Sequence, residues 1–403
     1  MTRRIKFFVA STSTCLVFVL LFGAMRGKSA SPEDTYRHLA VYTEVLSRIK
    51  SDYVEEPDMK SVTLGALNGL LESIDPYASY LSADQFKQYQ KAAGEQKADV
   101  GLVLSRRYGY LSVEDAVPGA PAAKAGITTG DVIESINNVA TRDMPLAFSQ
   151  MLMAGENGTT LELSVLRVRK NEPQKISLIR ANIVYPPVSA KIVTDPGPDP
   201  VGVIQTYTLG KGRVAEIAAK VAELQKQGAK RFVLDLRSCA TGNPEEGVAL
   251  ANLFVDKGLI TYLQGQKVAR VDSQASASKM ITKAPLAVVV NRGTAGAAEV
   301  AAAALLDSKR ADVVGEHTYG DAAVRKPVPM EDGSAVILSV AKYYSPSGKS
   351  IQDTGVTPSV AEAEIDPAQM DNLDDDNLPD TTNVPAKADQ IMRKALTTVE
   401  IVK

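Results

Sequence analysis

The sequence is poor in the residues that build metal sites and histidine-dependent catalytic triads. Its 403 residues include two cysteines, Cys15 and Cys239, and two histidines, His38 and His317. Because the cysteines lie far apart, they form no disulfide framework, and neither has the spacing of a metal ligand. A Ser-His-Asp triad is disfavoured because His38 is better explained as a surface residue of a helix. We therefore expect no metal and no cofactor.

Clusters of positive charge are also missing. Lys and Arg number 45 against 47 Asp and Glu, which gives a net charge of −2, and basic residues cluster only at the extreme N-terminus. Nothing elsewhere in the chain could follow a phosphate backbone, so nucleic acid is excluded as an expected partner. Apolar residues make up 45% of the chain. This is enough to bury cores in two or three folded units and excludes disorder of the whole chain.

Familiar catalytic motifs are absent as well. The sequence has no G-x-S-x-G, no H-E-x-x-H and no G-x-x-x-x-G-K-[ST] segment, and both TLGKGR and SPSGKS lack the upstream glycine that a phosphate-binding loop needs. Function must therefore be inferred from the order of segments along the chain.

The N-terminus carries an export signal. Arg3, Arg4 and Lys6 precede an uncharged run from Phe7 to Met25, which has roughly the length of a membrane span. Lys28 stands where a signal-peptidase site prefers a small residue, which favours an uncleaved anchor over a cleaved signal peptide. The basic residues stay in the cytoplasm, so we expect the rest of the chain in the cell envelope or periplasm.

Periodicity divides the remainder into units of different kinds. Helical spacing of apolar residues gives way to short alternating strands, and then to strands that alternate with helices. An acidic stretch without hydrophobic period and a final amphipathic stretch follow. The expected fold class is multidomain α+β. The predicted segments are an anchor (1–30), a helical unit (31–95), a β module (96–181), an α/β core (182–362), an acidic linker (363–383) and a C-terminal helix (384–403).

The order of several motifs resembles one known family. GALNGLLESIDPYASYL (65–81), PAAKAGITTGDVIESINN, FVLDLR, APLAVVVNRGTAGAAEV and YYSPSGKSIQDTGVTPSV occur in this order. Together they resemble the carboxyl-terminal processing peptidases, exported serine endopeptidases that carry a PDZ domain. The resemblance runs from about residue 35 to about residue 360. It implies a PDZ domain over 96–181 and a peptidase-like α/β core after it.

The catalytic positions implied by this resemblance carry unexpected residues. In the family, a nucleophilic serine stands three residues before a glutamate, and alignment on Glu299 places Gly296 there. Alignment on TYG (318–320) places Asp321 at the position of the lysine base and Arg325 at that of a glutamine. A Ser-Lys pair works because a desolvated lysine can be neutral near pH 7 and take the hydroxyl proton. Glycine has no atom that attacks, so we predict an inactive homologue.

Asp321 and Arg325 are candidates for a replacement ion pair in the vacated site. Four residues of strand span about 13 Å, so the pair requires a bend in the chain between them.

The turn that supplies oxyanion donors is also altered. LDLRSCATG places Thr241 and Gly242 where the family has two glycines, and a β-branched residue resists backbone angles that glycine accepts. Two residues remain as alternative nucleophiles. Cys239 lacks a neighbouring base, so an inert thiol is the simpler interpretation. For Thr294 an ordinary turn or helix-capping role is simpler.

The segment DVGLVL (99–104) resembles the carboxylate-binding loop and following strand of PDZ domains, which hold a peptide as an added strand. Val100, Gly101 and Leu102 would form the loop, and Leu102 and Leu104 would line an apolar pocket. The alternative is a PDZ domain that only packs against the core.

The sequence thus predicts a membrane-anchored homologue that binds polypeptide C-termini or partner proteins without cutting them. Two alternatives remain open. One is an active serine-type endopeptidase with an unrecognised nucleophile, and the other is a structural subunit that forms an oligomer with itself or with an active relative.

Overall fold

The computed structural model of the chain describes residues 32–92, 97–142, 144–167, 170–194, 197, 199–363 and 389–401. The predicted anchor over 1–30 and nearly all of the acidic linker over 363–383 lie outside these residues. None of the described helices is long and apolar enough to cross a membrane. The described residues divide into two compact units, with the boundary between Ala66 and Leu67.

Two helices open the described chain. Helix α1 spans Pro32–Asp52, and α2 spans Met59–Glu72. Asp58 precedes α2 and accepts hydrogen bonds from the Lys60 amide at 3.0 Å and from the Ser61 hydroxyl at 2.6 Å. These bonds satisfy donors at the helix start, as an N-cap residue does.

The β module is an antiparallel sheet with the order β2-β3-β4-β6-β7, and β5 pairs with β4. Alternate residues such as Leu111 and Val113, or Leu161, Leu163 and Val165, point into one apolar core. Its elements are β2 (Leu102–Arg107), β3 (Tyr110–Ala116), α4 (Pro121–Lys124), β4 (Val132–Ile136), β5 (Val139–Ala140), α5 (Leu146–Met153), β6 (Thr160–Leu166) and β7 (Gln174–Ile179).

The α/β core is built on a six-stranded sheet with the order β17-β14-β13-β10-β9-β8. All neighbouring strands are parallel except β8, which is antiparallel to β9. The sheet comprises β8 (Ser189–Val193), β9 (Val201–Gln205), β10 (Arg231–Asp235), β13 (Leu286–Val290), β14 (Asp312–Gly315) and β17 (Val360–Ala361).

Helices cover both faces of this sheet. Phe232 and Leu234 pack in the apolar cluster shared with α6 (Arg213–Lys226), α7 (Pro244–Asn252) and α8 (Ala297–Asp307). Val233 faces the opposite side and packs with α9 (Gln390–Ile401), which lies within the predicted C-terminal helix. Strands covered on both faces read as continuous apolar runs, which is why FVLDLR and LAVVVN predicted the core correctly.

A second sheet has the order β1-β16-β11-β12, and β15 also pairs with β16. Its first strand, β1 (Ser79–Leu81), comes from the segment 31–95, which was predicted as helical only. Three residues are too few to show a strand period, and β1 forms because β16 offers it an antiparallel partner. The other elements are α3 (Ala83–Ala92), β11 (Leu259–Gln264), β12 (Val271–Gln274), a 3₁₀ turn (Ala277–Lys279), β15 (Ala323–Pro329) and β16 (Ala335–Tyr344).

Candidate functional site

Three loops meet at the carboxyl edge of the core sheet. Strands β10, β13 and β14 are adjacent and parallel, so the loops that follow them leave from the same edge, where open α/β sheets place their sites. The Ala295 amide donates to the Cys239 carbonyl at 3.1 Å, and the Tyr319 amide donates to the Thr294 carbonyl at 3.0 Å. Backbone hydrogen bonds therefore join the nucleophile segment to the predicted oxyanion turn and to the segment of the predicted base.

Gly296 lies at a sharp turn between strand β13 and helix α8. It is the N-cap of α8, with φ 60° and ψ −119°. A nucleophile elbow places its serine on a strained strand-to-helix turn of this kind. A Cβ added at Gly296 would lie 3.5 Å from the Asp321 carbonyl oxygen and 4.0 Å from the Ala240 carbonyl oxygen. The position has room for a side chain, although its positive φ strains any residue other than glycine.

Glu299 holds the loops together, a role that sequence reasoning missed because it used this residue only for alignment. Its side chain is fully buried. It accepts hydrogen bonds from the amides of Gly296 at 3.0 Å, Gly320 at 2.7 Å and Asp321 at 2.9 Å, and from the Thr318 hydroxyl. Burial raises the pKa of Glu299 to about 7, against the opposing effect of the hydrogen bonds from Thr318, Gly320 and Asp321. A lone glutamate in the Ala-rich helix sequence AAEVAAAALL was the signal available.

Asp321 and Arg325 form the ion pair that the sequence suggested. A register shift in the pairing of β15 with β16, between Val324 and Arg325, supplies the required bend. The Arg325 guanidinium carbon lies 3.8 Å from the centroid of the Tyr77 ring. Burial raises the pKa of Asp321, and the neighbouring Arg325 opposes that shift.

The carboxylate of Asp321 is paired with Arg325 and does not contact position 296. Two heavy atoms of the described residues lie within 4 Å of a Cβ built at Gly296. Both are backbone carbonyl oxygens, and one of them belongs to Asp321. The two positions are thus neighbours through the backbone, while the Asp321 side chain is held by Arg325.

The oxyanion-like turn is tied to the loop after β9. Gly242 pairs with Leu209 as an isolated bridge, and its φ of 144° and the close Leu209 backbone exclude a Cβ, which would lie 2.5 Å from the Leu209 carbonyl carbon. Thr241 avoids positive φ, and its hydroxyl donates to the Thr208 hydroxyl at 3.0 Å. In the same turn, Ser238 has a positive φ of 51°.

The two alternative nucleophiles are buried in the turns. Cys239 has no exposed surface, and burial raises the pKa of its thiol far above the ordinary value. Thr294 is equally buried, donates to the Leu236 carbonyl at 2.8 Å and accepts from the Asn291 amide at 3.1 Å. The Thr294 hydroxyl thus fixes the turn, the Cys239 side chain packs in the apolar core, and neither side chain is exposed.

Strand β3 of the β module brings two acidic residues to the site loops, and sequence reasoning identified neither of them. Glu114 is buried, accepts a hydrogen bond from the Tyr77 hydroxyl at 3.2 Å, and its Oε1 has no partner within the described part of the chain. Burial raises the pKa of Glu114, and the nearby Asp321 adds to the rise. Burial also raises the pKa of Asp115 to about 7, opposed by the Ala116 amide and the Ser238 side chain. The strand motif VEDA, with two adjacent carboxylates, was the available signal.

The β module carries an open cavity of about 380 Å³. Gly101, Leu102 and Leu104, three of the predicted peptide-binding residues, line it, and Val100 is buried in the core beside it. Thr241 of the oxyanion-like turn and Tyr185 line the same cavity. The cavity thus extends from the predicted carboxylate loop to the site loops of the core.

Comparison with known proteins agrees with this architecture. The Peptidase family S41 model matches residues 200–361, and a PDZ domain model matches residues 112–167. The chain is therefore a peptidase-fold protein with a PDZ domain.

Relatives identify the family more closely. The chain is 30% identical to the carboxy-terminal processing protease CtpA of Bacillus subtilis (strain 168), over 98% of this chain and 86% of that protein. It is 28% identical to the carboxy-terminal-processing protease of Bartonella bacilliformis, over 89% and 82% of the two chains. The solved photosystem II D1 C-terminal processing protease matches with a TM-score of 0.66 and 27% identity, over 80% of this chain and 92% of that one. The chain belongs to the family of carboxy-terminal processing proteases.

Proposed function

We propose that this family member does not cleave polypeptides and instead binds them through its PDZ domain, outside the cytoplasm and anchored by its N-terminal segment. The observation that carries the proposal is glycine at position 296, at the turn where the family resemblance puts the nucleophile. Acyl transfer by a serine peptidase requires a hydroxyl or equivalent nucleophile there, and glycine offers none.

The neighbouring residue at the base position supports the same proposal. A lysine that is neutral near pH 7 takes the proton from the nucleophile in a Ser-Lys pair. Asp321 offers a carboxylate instead, and that carboxylate is paired with Arg325. Arg325 in turn packs over Tyr77, so the side chain at the base position is held by structural contacts. The burial of Cys239 and Thr294 argues against a substitute nucleophile.

The cavity of the β module supports the binding part of the proposal. Strand β2 stands at the end of its sheet order, and Leu102 and Leu104 line the cavity. An extended polypeptide can add to such an edge, with backbone hydrogen bonds providing affinity and the apolar side chains selecting residues.

The test is a cleavage assay on the full chain, purified in mild detergent, with an unfolded polypeptide that ends in apolar residues. Intact mass spectrometry over a day follows the substrate. We expect no cleavage by the unchanged protein or by Gly296→Ser and Asp321→Lys alone, and measurable cleavage by the double variant. Cleavage by the unchanged protein that persists in an independent preparation would overturn the proposal.

A further inference from the structure

The amides of the predicted carboxylate loop already hold a carboxylate from the chain itself. Asp99 precedes the loop, and its Oδ1 accepts hydrogen bonds from the Val100 amide at 2.6 Å and from the Gly101 amide at 2.9 Å. The backbone of Asp99 is fixed by two hydrogen bonds with Ala181, at 3.0 and 2.9 Å. These backbone hydrogen bonds therefore hold the Asp99 side chain next to the loop.

This arrangement has a direct consequence for a ligand with a charged end. PDZ domains capture a C-terminal carboxylate with backbone amides of this loop. Here two of those amides are engaged, and Asp99 itself lines the cavity. An incoming carboxylate would lose donors and face a like charge, which disfavours its ionised form.

The cavity and the edge of β2 form a groove whose remaining contacts do not require the end of a chain. Strand β2 has a strand partner on one side only within the described sheet order, so its other edge can pair with an extended segment. The cavity is also lined by Tyr185 and Thr241, which lie outside the loop, so a bound chain need not end there.

We propose that Asp99 is a specificity-determining residue that closes the carboxylate loop, so that the groove binds internal extended segments of polypeptides and rejects free C-termini. This inference rests on the proposed binding function, and it narrows the polypeptide C-termini expected from the sequence to segments without a terminal charge.

The experiment compares two forms of one fluorescein-labelled peptide with apolar C-terminal residues, a free acid and a C-terminal amide. Fluorescence polarisation with the full chain in mild detergent gives both dissociation constants. We expect the unchanged protein to bind the amide at least as tightly as the acid. Asp99→Ala frees the loop amides, and we expect it to prefer the acid by on the order of tenfold, the size that a hydrogen bond to a charged group provides.

Asp99→Asn keeps an acceptor for the two amides while removing the charge, and we expect a smaller shift towards the acid. Asp332→Ala is the matched control. Asp332 lies in the turn between β15 and β16, and its side chain also accepts a hydrogen bond from a backbone amide, that of Ser334 at 3.0 Å. It should leave the acid-to-amide ratio unchanged.

Two results would overturn the inference. The first is tighter binding of the free acid by the unchanged protein, and the second is an Asp99→Ala variant that remains folded but gains no preference for the acid. Mass spectrometry of the recovered peptide reports separately on cleavage, so a failure of the proposed inactivity is distinguishable from a failure of this specificity.

Discussion

The nucleophile turn and the PDZ groove use the same interaction with different consequences. In each, a carboxylate of the chain accepts hydrogen bonds from backbone amides of a functional loop. The carboxylate is that of Glu299 in the nucleophile turn and that of Asp99 in the PDZ groove. Glu299 is fully buried, whereas Asp99 is half-buried at the wall of an open cavity. A buried carboxylate in this role fixes the fold, while one that a ligand can reach governs what binds.

The loops around the nucleophile position keep their shape without the side chains that the proposed loss of activity removes. The loops around Gly296 are joined by Glu299 and by backbone bonds, none of which requires a serine or a lysine. The hydrogen bonds that join these loops therefore do not depend on a nucleophile or a base at positions 296 and 321.

Removal of Glu299 should have the largest effect. Glu299→Ala leaves three amides and the Thr318 hydroxyl without their buried acceptor, so we expect the free energy of unfolding to fall by about 4 kcal/mol or more. Asp99→Ala should cost only about 1 kcal/mol because water can reach the loop. Urea unfolding measures both, with Glu331→Ala, in an exposed turn, as the control. Equal losses for Glu299 and Asp99 would show that the two carboxylates stabilise the fold to the same extent.

Stability should decrease as the pH rises towards neutrality. Burial raises the pKa of Glu299 and of Asp115 to about 7, so the folded state keeps protons that the unfolded chain releases above its ordinary carboxyl pKa. Their stabilising contribution is complete below pH about 4, and each group loses on the order of 3 kcal/mol as the pH rises to about 7.

Urea unfolding across this pH range tests the assignment with Asp115→Asn, which removes one of the two titrating groups. We expect the variant to show a shallower decline than the unchanged protein. Identical pH profiles would show that Asp115 does not titrate in this window.

Two glycine substitutions distinguish the effect of a steric clash on stability from the effect of backbone strain. Gly242→Ala puts a Cβ against the Leu209 backbone and should cost about 3 kcal/mol, whereas Gly296→Ala meets only ordinary contacts and should cost about 1 kcal/mol for its positive φ. Thermal unfolding of both variants is the measurement. A larger loss at Gly296 would mean that the nucleophile position no longer has room for a side chain.

The Asp321–Arg325 pair should contribute less to stability than the hydrogen bonds of Glu299. Arg325→Ala leaves Asp321 without its counter-ion and removes the contact with Tyr77, so we expect a loss of about 2 kcal/mol. The double variant Asp321→Ala and Arg325→Ala should recover part of it. The exposed pair Lys220–Glu223 is the matched control, and its disruption should cost about 0.5 kcal/mol or less. Additive losses for Asp321 and Arg325 would contradict a direct pairing.

The sequence predicted the local features of this molecule better than its long-range contacts. Continuous apolar runs identified the core strands, and motif alignment assigned family positions to Gly296, Asp321, Thr241 and Gly242. The burial of Glu114 and the hydrogen bonds of Glu299 were not foreseen, because strand and helix periods do not specify which distant surface covers a residue. Asp99 was missed because its effect depends on a backbone pinned by Ala181, far along the chain.

The fate of a polypeptide bound to the unchanged protein shows whether the protein cleaves what it binds. An amidated apolar peptide is incubated with the full chain until binding is complete, then released and weighed by intact mass spectrometry. We predict that all of it returns at full length. Shortened products that increase with protein concentration, and that recur in a preparation made by a different purification route, would contradict the account.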